Sequence, residues 1–206
     1  MRNLGDILYN FHWVVPGEAA RAMQAWAGGL GSFLRQRGVR AIINLRGRNQ
    51  DIGWWKKETA IAKAGGIEHF DAMLDSRKLP TRAMLERLIE GFDTAPRPFM
   101  LKCSGGQDRT SFAAALYLIH RNGWSALPAA RAQFARFPYL HFPKQHQRWL
   151  RAFLDFAQED SRGLELKKWI ATRYSPQSLK AWLDGHGLAD GYAEIFTVPT
   201  RSPFQW

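Results

Sequence analysis

Short apolar runs alternate with amphipathic stretches between Val39 and Asn122. The runs have the length of buried strands, and the stretches that follow them carry apolar side chains at helical spacing. The predicted strands and helices are, in chain order, Val39–Leu45, Trp54–Ala64, Ile67–Leu74, Pro80–Phe92, Pro98–Lys102 and Thr110–Asn122. This alternation predicts an α/β fold, with a central, largely parallel sheet flanked by helices.

Helical spacing dominates the two ends of the chain. Glu18–Arg37 predicts an early helix, and the pattern after residue 123 predicts only helices, followed by an irregular tail from Val198. The later helices are predicted at about residues 125–135, 144–158, 163–173 and 176–184. Because charge and glycine interrupt the pattern near Glu159–Gly163, we predict a main domain over residues 1–158 and a C-terminal helical extension over residues 159–206 that packs on it.

The composition excludes a disordered chain, because 46% of the residues are hydrophobic and nine are tryptophans. The longest apolar run, Phe112–Ile119, is too short to span a membrane, and Asp6 and Asn10 interrupt the N-terminal stretch where a signal peptide is apolar. The single cysteine, Cys103, excludes an internal disulfide and is typical of a reducing compartment or a reactive thiol. We therefore expect a cytoplasmic protein.

The positive charge of the chain is unevenly distributed. The formal net charge is +11, and residues 159–206 contain six basic and six acidic side chains, so residues 1–158 carry the whole excess. A basic domain attracts phosphorylated substrates, nucleic acid or an acidic membrane surface, although a solvated basic surface has the same composition. The charge indicates anionic partners without choosing among them.

The segment with the most specific chemistry is KCSGGQDRTS, from Lys102 to Ser111, between a predicted strand and a predicted helix. If its N–H groups face inward at the helix N-terminus, they form a nest for a tetrahedral oxyanion. Cys103 then lies at the base of the nest, where the positive field favours a thiolate nucleophile. Arg109, six residues later, is placed to bind two phosphate oxygens.

The rest of the loop completes the predicted phosphate site. Gly105 and Gly106 permit the backbone angles that the wrap requires, and the Thr110 hydroxyl is placed to donate to the Cys103 sulfur. Two other phosphate-binding loops are excluded, because the chain has no Gly-Lys-Ser/Thr and no G-x-G-x-x-G after a strand. The predicted phosphate-binding residues are Ser104, Gly105, Gly106, Gln107, Asp108, Arg109 and Thr110.

The Cys-x5-Arg-Thr pattern resembles the signature loop of the protein tyrosine phosphatase superfamily, and CSGGQDRTS is most similar to the atypical bacterial dual-specificity phosphatases. The segments FHWVVPGEAARAMQ, VRAIINLRG and TSFAAALYLIH resemble parts of the same proteins. The resemblance covers about residues 10–157 and implies a protein tyrosine phosphatase-like fold. It departs at Lys102, where the family usually has a histidine that positions the loop and tunes the thiolate.

The resemblance also implies a general acid, an aspartate on a loop about thirty residues before the nucleophile. Asp75 and Asp71 precede Cys103 by 28 and 32 residues, and Asp108 lies within the loop itself. Asp75 follows a predicted strand and precedes a predicted helix, as the family's acid does, so we favour Asp75. Asp71, which falls within the predicted strand, and Asp108 stay as alternatives.

Two pairs of basic residues outside the loop are candidates for the mouth of the site. Arg46 and Arg48 follow a predicted strand on the side where α/β sites form, and Arg77 and Lys78 follow Asp75. Each pair either contacts substrate or is a solvated part of the basic surface.

The favoured function is a metal-independent cysteine phosphatase that hydrolyses phosphomonoesters through a phosphocysteine on Cys103. The substrate classes are phosphorylated proteins, at tyrosine or at serine and threonine, phosphoinositides or other phospholipids, and other phosphate esters. No cofactor, metal or nucleic acid is expected, since the six histidines show no metal-ligand spacing, and the basic charge permits transient contact with an acidic membrane. The alternatives are a rhodanese-like sulfurtransferase and an inactive anion-binding module. Lys102 is the only feature that favours the inactive module.

Overall fold

The computed structural model describes residues 4–24, 29–50, 52–188, 193–197 and 204–205. A five-stranded sheet in the order β1-β2-β7-β3-β5 forms its centre; β2, β7, β3 and β5 are parallel, and β1 is antiparallel to β2. The strands are β1 (His12–Val15), β2 (Ala19–Met23), β3 (Ala41–Asn44), β4 (Arg48–Asn49), β5 (Glu68–Asp71), β6 (Lys78–Leu79), β7 (Phe99–Cys103), β8 (Ala193–Ile195) and β9 (Phe204–Gln205).

Helices cover both faces of the sheet, so the predicted α/β fold with a largely parallel sheet is confirmed. The helices are α1 (Leu4–Leu8), α2 (Leu30–Gln36), α3 (Gly53–Ala64), α4 (Arg82–Thr94), α5 (Asp108–Asn122), α6 (Leu127–Ala132), α7 (Trp149–Ser161), α8 (Leu166–Thr172) and α9 (Pro176–Gly185), with short 3-10 turns at Trp124–Ala126 and Gln145–Gln147. Within the described ranges, no helix is both long and apolar enough to cross a membrane.

The two faces of strand β7 belong to two different hydrophobic clusters. Phe99, Leu101 and Cys103 join the larger cluster with α4, α5 and the C-terminal helices, whereas Met100 points into a smaller cluster with α2 and α3. Side chains alternate across a strand, so Lys102 faces the same side as Met100. Two neighbouring residues at the end of β7 therefore enter two different environments.

The C-terminal helices α8 and α9 add their apolar side chains to the larger cluster. Trp169, Tyr174 and Leu179 are fully buried there, and α7 runs through residue 158 to Ser161. The indole N–H of Trp169 donates to Asp160 at 2.6 Å. The chain after residue 158 therefore packs into the larger cluster. The division into a domain of residues 1–158 and an extension of residues 159–206 stays a prediction.

The predicted helix over Glu18–Arg37 is wrong in its first part. Ala19–Met23 forms strand β2, and only Leu30–Gln36 is helical; residues 25–28 lie outside the described ranges. Alanine favours a helix in isolation, but this segment inserts between β1 and β7, and its first four side chains are buried. Backbone pairing on both sides and burial of the side chains outweigh the weak helix preference of alanine, so the segment forms a strand.

Three other predicted segments also differ from the structure. The strand expected over Ile67–Leu74 is shorter, since β5 ends at Asp71, and the chain after residue 123 includes two short strands beside its helices. β8 pairs with β6, and β9 pairs antiparallel with β4, so the tail from Val198 is not wholly irregular. Pairing with a distant part of the chain, rather than local pattern, creates these strands.

Candidate active site

The candidate site lies at the carboxyl end of the parallel sheet, where α/β folds form ligand sites. Strand β7 ends at Cys103, residues 104–107 form a loop, and α5 begins at Asp108. All five residues of β7 are buried, because the strand lies between β2 and β3. The loop is therefore held between a rigid strand and the N-terminus of a buried helix, whose N–H groups attract anions.

Cys103 has a thiol that is buried and has a lowered pKa. Burial raises the pKa, but the charge of Arg109 and hydrogen bonds from the Thr110 hydroxyl and from the backbone N–H groups of Thr110 and Gly106 outweigh it. The Thr110 hydroxyl is itself buried and has no oxygen or nitrogen partner among the described residues. The sulfur is thus surrounded by donors and a cation, which is the environment that favours a thiolate.

Gly106 fixes the shape of the loop. Its φ is +65°, and a Cβ at this position would lie 2.7 Å from the backbone nitrogen of Met23 and 2.8 Å from the carbonyl carbon of Ala22. Its carbonyl accepts hydrogen bonds from Arg21 Nη2 at 3.0 Å and from Asn10 Nδ2 at 3.4 Å. Only glycine satisfies both the angle and the close approach, so the loop is pinned against β2.

Arg21 is a fully buried arginine that braces the loop from behind. Its Nη1 donates to the carbonyl and side-chain oxygens of Gln133 at 2.9 and 3.1 Å, its Nη2 donates to Ser111 Oγ at 2.7 Å, and its guanidinium lies 4.0 Å from the centre of the Tyr139 ring. Burial lowers the pKa of Arg21 to about 10, which leaves it charged at neutral pH. The sequence pattern does not predict this role of Arg21, because it indicates a helix where β2 lies; the one signal is an arginine inside an alanine-rich segment.

Arg109 lies in an open cleft beside the loop. Its Nη2 donates to Ser104 Oγ at 3.0 Å, and its Nη1 approaches the carbonyl oxygen of Leu74 at 3.5 Å. The cleft has a volume of about 440 Å³. Besides apolar side chains, it is lined by the charged residues Arg46, Asp75, Arg77, Lys78 and Arg109.

Of the three candidate acids, Asp75 is the one that lines this cleft together with Arg109 and Ser104. Its Oδ1 accepts a hydrogen bond from the backbone N–H of Arg77 at 2.7 Å, which is a local turn that shapes the loop after β5. The backbone of Arg77 therefore holds the Asp75 carboxylate in place on the loop that lines the cleft.

Asp71 and Asp108 are turned toward other partners. Asp71 Oδ1 accepts from Asn44 Nδ2 at 2.7 Å and from the indole N–H of Trp55 at 3.1 Å. Asp108 Oδ2 accepts from Gln147 Nε2 at 2.9 Å, and its Oδ1 lies 3.4 Å from His141 Nε2. These carboxylates organise the end of β5 and the start of α5, and neither of them lines the cleft.

Three other predicted phosphate-binding residues have distinct environments in the loop. Ser104 lines the cleft, and the Gln107 carbonyl accepts from the Ser111 N–H at 2.7 Å, which starts helix α5. Gly105 is uncrowded, since a Cβ there would meet only the Gln107 side chain, at 3.6 Å or more. Contact of these residues with a phosphate stays a prediction.

Lys102 lies in a buried group that we call the lysine cluster, made of Lys102, Glu58, Gln24 and His69. Lys102 Nζ donates to Glu58 Oε1 at 2.6 Å and to Gln24 Oε1 at 2.7 Å, and His69 Nε2 lies 2.9 Å from Glu58 Oε1. Burial lowers the pKa of Lys102 to about 8, and Glu58 opposes this change. Burial raises the pKa of Glu58, but His69 and Lys102 outweigh it and lower the pKa.

Gln24 connects the lysine cluster to the loop and to the cleft. Its backbone N–H donates to the Ser104 carbonyl at 3.1 Å, and its Oε1 accepts from Arg46 Nη1 at 3.3 Å as well as from Lys102. The same two cations lie over the Trp54 ring: the Arg46 guanidinium is 3.8 Å and Lys102 Nζ is 4.3 Å from the ring centre. The sequence pattern does not predict the roles of Gln24 and Glu58; the one signal is that a lysine inside a buried strand requires a carboxylate.

Solved structures with the same fold place this architecture in a known class. TpbA from P. aeruginosa has a TM-score of 0.58 at 17% identity, over 80% of this chain and 92% of that one. The core catalytic domain of the PP-IP phosphatase SIW14 from S. cerevisiae has a TM-score of 0.53 at 17% identity, over 89% and 96%. PTPMT1 has a TM-score of 0.52 at 15% identity, over 74% and 98%. The fold is that of the protein tyrosine phosphatases.

A family model narrows the class. The model described as a DSP-PTPase phosphatase fused to NAD+ kinase matches residues 20–138, which is more than half of the chain, and the chain belongs to this family of dual-specificity-type phosphatases. No curated protein matches the sequence. The resemblance that the signature loop indicated is thereby confirmed at the level of the family.

Proposed function

We propose that this protein is a cysteine-dependent phosphomonoesterase with Cys103 as the nucleophile, Arg109 as the phosphate clamp and Asp75 as the general acid. The observation that carries the proposal is the environment of Cys103, where a cation and three hydrogen-bond donors lower the pKa of a fully buried thiol. Burial alone would keep that thiol protonated and unreactive. A structural cysteine requires no such environment.

The proposed reaction has two steps. In the first, the Cys103 thiolate attacks phosphorus, the P–O ester bond breaks, and the leaving oxygen takes a proton from Asp75. In the second, water attacks the phosphocysteine while Asp75 accepts its proton, and the P–S bond breaks to return the thiolate. Arg109 and the loop N–H groups bind the equatorial phosphate oxygens in both steps, so they stabilise the charge that the transition states carry.

The substrate is proposed as a phosphate ester in the broad sense, carried by a protein, a phosphoinositide or a smaller molecule. The cleft is open and about 440 Å³ in volume, which gives room for more than the phosphate group itself. Contact with an acidic membrane surface and cytoplasmic localisation stay predictions from the charge and the sequence.

Hydrolysis of p-nitrophenyl phosphate in EDTA tests the proposal, with wild type and Cys103→Ser measured in parallel. We expect turnover by the wild type without added metal, none by Cys103→Ser, and a phosphoryl adduct on Cys103 after rapid acid quenching of the wild type. The variant loses turnover because a serine hydroxyl stays protonated where the thiol ionises. We expect it to keep the fold and the phosphate site. Activity in Cys103→Ser, or wild-type activity that EDTA removes, would exclude the proposed chemistry.

The same protein samples separate the other two classes. Thiocyanate formed from thiosulfate and cyanide would indicate a sulfurtransferase. Phosphate binding by a folded wild type that hydrolyses no ester would indicate an inactive anion-binding module.

A further inference from the structure

We propose that the loop of residues 136–144, which follows α6, docks the protein on an anionic membrane surface. We call this segment the docking loop. It combines exposed apolar side chains with cations, and it lies beside the cleft. The proposal goes beyond the proposed function, because it concerns binding to a surface and does not depend on the chemistry of Cys103.

The docking loop exposes three large apolar side chains. Phe137 is 71% exposed, Phe142 is 52% exposed and Leu140 is 41% exposed. The rings of Phe137 and Phe142 contact each other edge to face, with their centres 6.2 Å apart. Single exposed apolar side chains are common, but several in contact on one loop are typical of an interaction surface.

The docking loop is held in place by side chains that point into the protein. The Tyr139 ring lies 4.0 Å from the Arg21 guanidinium, and the Tyr139 carbonyl accepts a hydrogen bond from Asn10 Nδ2 at 3.2 Å. His141 is buried, and its Nδ1 lies 3.2 Å from the carbonyl oxygen of Phe134. Because Tyr139 and His141 anchor the loop, the apolar side chains beside them are held in exposed positions.

Cations accompany the apolar side chains. Residues 109–154 contain seven basic side chains and no acidic one. Arg136, Lys144 and Arg148 are exposed, and they form no ion pair within the part of the chain that the structure describes. The Arg136 guanidinium lies 5.0 Å from the centre of the Phe142 ring, so charge and apolar area belong to one surface. Such a surface is complementary to anionic headgroups that lie over acyl chains.

A bilayer fits this surface better than an acidic protein does. A stable protein interface buries about 1,000 Å² or more with good shape complementarity, and one nine-residue loop offers little of either. A bilayer requires no matching shape. It accepts protruding apolar side chains below the headgroups while the cations stay among the headgroups.

The chain directly after the docking loop contacts the wall of the cleft. Gln147 Nε2 donates to Asp108 Oδ2 at 2.9 Å and to Ser76 Oγ at 3.3 Å, and the indole N–H of Trp149 donates to the Ser76 carbonyl at 3.2 Å. Ser76 lines the cleft beside Asp75. A protein docked through this loop therefore holds its cleft close to the headgroups.

Flotation of the full chain with vesicles tests the proposal without any turnover. The probes are phosphatidylcholine vesicles with and without phosphatidylserine, and we expect binding at least about 10-fold tighter with phosphatidylserine and weaker at high salt. Phe137→Ser/Phe142→Ser should weaken this binding by at least about 10-fold, because the apolar area is lost. Phe137→Leu/Phe142→Leu should bind within about 3-fold of the wild type, because leucine keeps an apolar side chain.

A charge-matched pair of variants separates a local surface from the overall positive charge. Lys144→Gln/Arg148→Gln should weaken binding by about 10-fold. Lys57→Gln/Lys63→Gln removes the same charge from exposed positions on α3, which packs on the opposite face of the sheet, and should change binding by less than about 3-fold. An equal loss in the two pairs, or binding by Phe137→Ser/Phe142→Ser equal to that of the wild type, would overturn the proposal.

A fluorescent label tests insertion at a single position. Since Cys103 is the only cysteine, Phe142→Cys in the Cys103→Ser background accepts one nitrobenzoxadiazole group, and Lys57→Cys in the same background is the control. With phosphatidylserine vesicles, the emission should shift to the blue for the label at position 142 and stay unchanged at position 57. No shift at position 142, or the same shift at both positions, would contradict docking through this loop.

Polyglutamate represents the alternative partner, an acidic protein. We expect it to bind more weakly than the phosphatidylserine vesicles and to be insensitive to Phe137→Ser/Phe142→Ser, since it offers charge but no apolar layer. If polyglutamate binds as tightly as the vesicles and the phenylalanines affect neither affinity, the membrane proposal is wrong. Thermal unfolding of each variant confirms that it is folded. None of these outcomes depends on hydrolysis, so they are distinct from a failure of the proposed function.

Discussion

Lys102 and Cys103 are neighbours at the end of one buried strand, yet they meet opposite electrostatic environments. Both side chains are almost fully buried, and both groups have a lowered pKa. For Lys102 the cause is burial, which disfavours its charged form. For Cys103 burial acts the other way, and the cation Arg109 and three donors overcome it to favour the charged form.

The two side chains differ because they lie on opposite sides of the sheet and have different partners. Lys102 Nζ donates to Glu58 and Gln24, whereas Arg109 and the N–H groups of Gly106 and Thr110 lower the pKa of Cys103. Lys102 stands where the resemblance leads us to expect a histidine; it donates to Gln24, whose backbone N–H donates to the carbonyl of Ser104. We therefore expect residues on the cleft side to determine the rate of hydrolysis. We expect the lysine cluster to determine the stability of the protein and the position of the loop.

After Cys103→Ser, Asp75→Asn is expected to have the largest effect on rate, because Asp75 lines the cleft. If it protonates the leaving group, kcat for phenyl phosphate should fall by about 100- to 10,000-fold, and the loss should shrink for p-nitrophenyl phosphate, whose leaving group needs little protonation. The basic limb of the pH–rate profile should flatten in the variant. Steady-state kinetics across a series of leaving groups measures all three effects.

Asp71→Asn is the matched control on the lysine side, where Asp71 lies 3.6 Å from His69. It should cause no leaving-group-dependent loss. If that signature appears in Asp71→Asn or Asp108→Asn instead, the acid has been assigned to the wrong residue. An equal loss for every leaving group in Asp75→Asn would mean that Asp75 only positions the loop.

Glu58→Gln should show its effect in stability. It leaves Lys102 buried without its counter-ion, and we expect a loss of about 3–5 kcal/mol in the free energy of unfolding, the usual cost of removing one partner from a buried ion pair. The double variant Lys102→Met/Glu58→Gln should recover most of the loss, because no unpaired charge then remains. Urea denaturation measures both; a double variant as unstable as the single one would show that the pair is not the cause.

Arg109→Lys should lower kcat/KM by at least about 100-fold, since an ammonium cannot make the planar two-point contact with phosphate. Arg77→Lys is the comparison within the same cleft and should change kcat/KM by much less. The measurement is hydrolysis of p-nitrophenyl phosphate at fixed pH. Near-normal kinetics in Arg109→Lys would contradict the role of this residue as the clamp.

Gly106→Ala should destabilise the protein by about 1–3 kcal/mol and reduce phosphate binding, because its φ is +65° and a Cβ would strike the backbone of Met23. Gly105→Ala is a matched control one residue away, where a Cβ meets only ordinary contacts. Thermal unfolding with and without vanadate measures both properties. Similar behaviour of the two variants would mean that the close approach to β2 does not shape the loop.

Periodicity and loop chemistry alone predict a large part of the fold. Strands β3 and β7 and helices α3, α4 and α5 were indicated by short apolar runs and by helical spacing, because local pattern and tertiary environment agree in these segments. The cluster of Cys103, Arg109 and Gly106 was predictable because the chemistry needs those residues at neighbouring positions in sequence.

The features that the sequence did not reveal depend on distant parts of the chain. Strand β2 was hidden by the helix preference of alanine, and with it the bracing role of Arg21 and the bridging role of Gln24. Glu58 meets Lys102 only because α3 packs on the sheet face that Lys102 occupies. Such contacts join residues far apart in sequence, so no local pattern reports them.

The pH dependence of Cys103 alkylation tests most directly the claim that Arg109 makes this buried cysteine a thiolate. Because the pKa of Cys103 is lowered, its reaction with iodoacetamide, followed by mass spectrometry of the native protein, should rise through a midpoint below about 8.5, the ordinary value for a thiol. Arg109→Met should move the midpoint upward, and Lys102→Met should move it less. A wild-type midpoint at or above the ordinary value, or a midpoint that follows Lys102 rather than Arg109, would contradict the account.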